Sequence, residues 1–85
     1  MTGQVVTRRL AGCQFGAVTL LDVIVHYDAQ GPFITLYGAA GVDAALITPP
    51  ANATCIRAFS VAGAPILTYA LPDPEALRVV IAGQA

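Results

Sequence analysis

Apolar and polar positions alternate most clearly in AVTLLDVIVHY, residues 17–27. Leu21, Val23, Val25 and Tyr27 hold one parity, while Asp22 and His26 fall on the other. A period of two is that of a strand with one face on a core. The following stretch, HYDAQGPFITLY, reads as a hairpin, with Asp28-Ala29-Gln30-Gly31 supplying the turn between two strand-like runs. Glycine and proline recur along the rest of the chain, at Gly12, Gly16, Gly38, Gly41, Pro49-Pro50, Gly63, Pro65, Pro72 and Pro74, and leave room for little beyond short strands. The strand-like runs are residues 4–10, 17–27, 32–37, 54–61, 65–71 and 77–82, most of them rich in Val, Ile, Thr, Phe and Tyr.

The C-terminus supports two readings. Asp73-Pro74-Glu75 has the form of an N-cap, a first-turn proline and an early acid, with Gly83 placed to end a short helix. Three consecutive β-branched residues, Val79, Val80 and Ile81, oppose it. The preferred expectation is a turn over residues 72–76 followed by a strand. The whole chain, residues 1–85, is then a single all-β domain: a small antiparallel β-sandwich or barrel of about six short strands, its C-terminal segment alternatively a short helix.

Composition adds a statement about the surface. Charged residues are 11% of the 85 positions, against an ordinary share of about 25%. A domain this small buries only roughly 60 to 65 per cent of its unfolded surface, so much of its exterior must be apolar or small. Such a surface is normally covered by other subunits, and the expected partner is a homo-oligomer or a larger protein assembly. Arg8, Arg9, Arg57 and Arg78 are the candidate contacts to a partner's carboxylates. Nucleic acid is not expected, because the chain has no lysine and a formal net charge of −1. A membrane span is not expected either, since the longest apolar run is interrupted by Asp22 and falls short of the ~20 residues required. The N-terminal MTGQVVTRRLAG lacks the apolar centre of a signal peptide, which makes the expected location cytoplasmic unless the chain is built into a particle.

Candidate chemistry is sparse. His26 with Asp28 is the alternative polar site, for a small barrel that binds a ligand or acts as an enzyme; Asp22, four residues away along a strand, is about 13 Å from the ring. The simpler reading is a solvated strand face ending in an Asp-containing turn. Cys13 and Cys55 are expected to be reduced packing residues rather than a disulfide or nucleophiles, although Arg57 should share a strand face with Cys55. The triplet Asn52-Ala53-Thr54 matches a glycosylation acceptor and is expected to go unused. Tyr27, Phe33, Tyr37, Phe59 and Tyr69 could stack bases only beside a cationic track, so they are assigned to core and subunit contacts. No catalytic residue, cofactor, metal site or small-molecule ligand is expected, and the chain reads as a non-enzyme. A further alternative is an accessory subunit of a larger complex.

Residues 47–66, ITPPANATCIRAFSVAGAPI, also resemble a pattern of small β-sandwich structural proteins, decoration or minor capsid components, of tailed bacteriophages. In that pattern an apolar residue, then Pro-Ala and Ala-Thr, lead into a strand, a short turn and another strand. Ile47, Pro50, Ala51, Ala53 and Thr54 occupy the first part, Ile56, Ala58, Phe59 and Val61 the strand, and Ala62-Gly63 the turn. The resemblance implies a structural role in a virion, decorating or reinforcing a capsid, with no catalytic residues.

Overall fold

A computed structural model of the chain describes residues 6–28, 31–73 and 75–76. Among these residues seven strands form two antiparallel sheets: β1 (Val6–Arg9), β2 (Gln14–Phe15), β3 (Val18–Thr19), β4 (Asp22–Asp28), β5 (Gly31–Tyr37), β6 (Thr54–Val61) and β7 (Ala64–Ala70). The larger sheet has the order β1-β4-β5-β7-β6, and β2 pairs with β3 in a small hairpin. The expected all-β antiparallel class is the observed one. Among the described residues β1 and β6 are the edge strands of the large sheet, and the small hairpin forms a second sheet.

The expected strand over residues 17–27 is divided. β3 ends at Thr19, Leu20 donates its N–H to the Cys13 carbonyl at 2.7 Å, and Leu21 donates to Tyr37 at 2.9 Å before β4 begins. The bend carries the chain from the hairpin to the sheet. It buries Leu20 and leaves Leu21 63% exposed, so Leu21 does not join Val23 and Val25 in the core as the parity predicts. From Asp22 onward the parity holds. Asp28 lies opposite Gly31, the register of a two-residue hairpin loop, whose residues 29 and 30 lie outside the described residues.

Core side chains come from one face of the sheet: Val23 and Val25 of β4, Ile34 and Leu36 of β5, and Leu67 and Tyr69 of β7. Cys13, Phe15, Leu20, Ile47 and Leu71 complete the cluster from the small hairpin and the connections. Residues 38–53 are tied down at several points. Gly38 and Gly41 donate to the carbonyls of Pro65 and Gly63 at 2.9 and 3.0 Å, and Ala17 donates to Leu46 at 3.3 Å. Asp43 caps the short 3-10 turn Ala44–Leu46 by accepting the Ala45 N–H at 3.0 Å. Gly16, at φ 69°, lies so close to this connection that a Cβ there would come within 2.7 Å of the Leu46 carbonyl oxygen.

Asp73 accepts the Ala76 N–H with its side chain at 2.9 Å and with its carbonyl at 3.1 Å, and residues 75–76 take helical backbone. This is the N-cap geometry with which the helical alternative opens. The strand expected over residues 77–82 lies outside the described residues.

Candidate interaction surface

The face of the large sheet opposite the core carries Ile24 and His26 from β4, Phe33, Thr35 and Tyr37 from β5, and Ile66 and Thr68 from β7. On β6 the register assigns Arg57, Phe59 and Val61 to this face, opposite Thr68, Ile66 and Ala64. All eight residues of β6 are exposed. Ile56, Phe59 and Val61 are 53, 41 and 54% exposed. Ala58 and Ser60, on the other parity, are small. β6 therefore puts its large apolar groups on the open face and contributes no large side chain to the core.

Between β5, β7 and β6 this face is concave, with a volume of about 460 Å³. Its floor is the Thr35–Thr68 pair, whose hydroxyls lie 3.2 Å apart, in hydrogen-bond contact across the strands. Phe59 forms one wall, with the Arg57 guanidinium 4.7 Å from its ring centroid. This contact holds a cation along an apolar wall. On the far side the His26 ring tilts against Phe33, with centroids 5.4 Å apart. The open face is thus largely aromatic and aliphatic, with Arg57 and His26 joining the threonine hydroxyls as polar groups in the concavity.

A β-bulge separates Cys55 from Arg57. Cys55 lies opposite Tyr69 and Arg57 opposite Thr68, so Ile56 is the extra residue. The insertion reverses the expected relation: the two residues belong to opposite faces, and Arg57 is not placed to activate the Cys55 thiol. Neither cysteine is in a disulfide. Burial pushes the Cys13 thiol above its ordinary value, and the Asp22 carboxylate adds to the effect, which disfavours the reactive thiolate. Burial likewise raises Tyr69, with Cys55 adding to it.

The expected partner contacts have different surroundings. Arg9 forms an ion pair with Asp22 at 2.5 Å. The contact is through Nε, and the Arg9 side chain stays largely exposed. Arg8 lies on β1 opposite Val25 in the register, and Arg78 lies outside the described residues. Arg57 is on the open face. Of the alternative site, His26 lines the concavity, while Asp28 holds the last position of β4 opposite Gly31. Among the described residues no group of three His, Cys, Asp or Glu is arranged to hold a metal ion, and no helix is long and apolar enough to cross a membrane.

Of the five aromatics expected to pack, Phe33, Tyr37 and Phe59 border the concavity, Tyr69 is in the core, and the Tyr27 side chain lies outside what the structure describes. Phe15, absent from that group, is also core. Asn52 takes φ 62° in a turn closed by Ala53 N–H to Pro50 carbonyl at 3.2 Å. Asparagine tolerates this left-handed conformation, which gives it a backbone role independent of glycosylation. Comparison with protein-family models, with curated proteins and with solved structures finds no match for the chain.

Proposed function

We propose that this chain is a non-enzymatic structural subunit that assembles through the open face of its large sheet and the β6 edge. The observation that carries the reading is β6 itself, an eight-residue edge strand with both faces exposed and Ile56, Phe59 and Val61 at its surface. Natural edge strands are usually short, charged, proline-containing or covered. β6 contains no proline, lysine or acid, and its only charge is Arg57. The bulge is its sole blunting feature.

Magnitudes define the form of assembly. Half-burying three such side chains is worth about 1 kcal/mol each, or about 6 kcal/mol for two copies. Association costs about 4–15 kcal/mol in lost translational and rotational freedom. Side chains alone are therefore marginal, and backbone pairing along the edge is the natural additional contribution. The finer proposal is a minor or decoration component of a tailed-phage particle, supported by the resemblance of residues 47–66 and by the low charge. Sedimentation velocity over a concentration series tests the assembly reading. Reversible growth in mass is expected, and a chain that remains monomeric throughout contradicts it.

The concavity favours a second reading, a ligand site at His26 with Arg57 in place of Asp28 as its second polar group, because His26 and Arg57 both line a space of about 460 Å³. Under it, His26→Ala abolishes binding of a small anionic aromatic probe while the melting temperature is unchanged. Unchanged probe binding removes this reading.

A further inference from the structure

Between the bulge and the β6–β7 turn, β6 has one uninterrupted run of regular pairing, from Arg57 opposite Thr68 to Val61 opposite Ala64. That run is five residues long, and Phe59 is its centre. At one end Ile56 breaks the ladder; at the other Ala62 and Gly63 turn the chain back with φ 51° and 81°. Among the described residues β7 is the only strand beside β6, and all eight β6 residues are exposed, so no described strand pairs with its outer row of backbone N–H and C=O groups. The other edge strand, β1, ends in Arg8 and Arg9.

We propose that two copies of this chain pair β6 to β6, antiparallel, about a two-fold axis at Phe59, joining their large sheets into one ten-stranded sheet with a continuous open face. The proposal rests on the assembly reading above and specifies its partner and register. Three features favour a second copy over an unrelated strand. Centring on Phe59 uses the whole regular run and excludes the bulge and the turn, so every position from Arg57 to Val61 has a partner. The arrangement sets Phe59 against its own copy, an aromatic cross-strand pair, and Ala58 against Ser60, two small residues. It also sets each Arg57 opposite the second copy's Val61. The two arginine positions are then four residues apart along the ladder, about 13 Å, farther than a Debye length of about 8 Å at physiological salt. An edge with no acid can thus meet itself without like charges in contact. A two-fold contact of this kind is self-complementary and closes as a dimer.

The opposition of Arg57 and Val61 gives a test specific to the register. Val61 is about half exposed, and within one copy it is four residues from Arg57, too far along the strand for direct contact. In the dimer, Val61→Glu places a carboxylate opposite each Arg57, and Val61→Lys places a second cation there. Both variants lose the same apolar side chain, so their difference reports charge. At low salt Val61→Glu is expected to dimerise about tenfold more tightly than Val61→Lys by sedimentation equilibrium, since two cross-strand charge pairs change together. In an Arg57→Glu background the order reverses. Melting temperatures of all variants serve as the control for folding. Association that is indifferent to these charges overturns the β6 register and leaves assembly through another surface standing. A monomer at every concentration overturns both.

Discussion

The Arg9 guanidinium is engaged within its own chain, and the pair with Asp22 is unequal. Arg9 is largely exposed, whereas Asp22 is mostly covered and also accepts the Val23 N–H at 3.1 Å. Exposed ion pairs contribute little, so Arg9→Ala should cost no more than about 0.5 kcal/mol in urea unfolding. Asp22→Ala should cost about 1 kcal/mol, since it also removes an acceptor from β4. Ala62 presents the opposite case. It adopts φ 51° in a two-residue hairpin loop, a conformation costing a β-carbon-bearing residue about 1 kcal/mol. Ala62→Gly or Ala62→Asn should raise stability by about 0.5 kcal/mol, read as a higher urea midpoint with an unchanged slope.

Cys13 and Tyr69 set the alkaline behaviour. Both are raised in the fold, from ordinary values of 9.0 and 10.0. The folded chain therefore holds these protons more tightly than the unfolded chain. Their contribution is fully present below the ordinary values and is lost as pH rises through the folded ones. Stability should decline above about pH 9, first through Cys13. Cys13→Ala should flatten the first part of that decline in thermal melts taken across the pH range, although it lowers stability at every pH by opening a small cavity.

At the scale of elements, the connections decide how the core closes. Gly12 and Gly16 have nearly the same backbone, φ 73° and 69°, but a Cβ on Gly12 meets nothing within 4 Å, whereas one on Gly16 meets the Leu46–Thr48 segment. Gly12→Ala should cost about 1 kcal/mol, the conformational term alone. Gly16→Ala should cost about 2–3 kcal/mol, because it also pushes the hairpin off the 3-10 turn. Equal losses in the two variants would mean that this packing is unimportant. These contacts lie between residues about thirty apart, which local periodicity cannot reveal. The same limit explains Leu21, whose parity is correct for a continuous strand but not for a chain that bends between Leu20 and Asp22.

Other elements were readable because their signals are local. The β4–β5 hairpin follows from alternation and a polar turn, and β6 spans the residues assigned to it, Thr54–Val61. The bulge was not readable, since an extra residue appears only when a strand is laid against its partner. It also separated Cys55 from Arg57. The inverted character of β6 did have a signal in the sequence: Arg57, Phe59 and Val61 alternate with Ala58 and Ser60. That alternation identifies two faces without saying which of them meets the core.

On the scale of the whole molecule, the core of the described residues lies on one face of the large sheet. The opposite face keeps Phe33, Phe59, Ile66 and Tyr37 around a concavity, and the sheet ends at β6 in an edge whose one charge is Arg57 among exposed apolar groups. Low charge in the sequence leads to the expectation of a surface for covering, and this exposed face is the one proposed for it. If assembly covers this surface, paired Ile56→Ser and Phe59→Ser substitutions should abolish association while shifting the melting temperature of the dilute chain little, since both side chains are about half exposed before assembly.

The most direct measurement is amide hydrogen exchange at β6 as a function of protein concentration. Of the amides from Arg57 to Val61, those that point away from β7 are expected to exchange rapidly in dilute solution and to become protected as concentration rises, while β1 amides do not change. Exchange at β6 that is independent of concentration, in samples that associate, would contradict it.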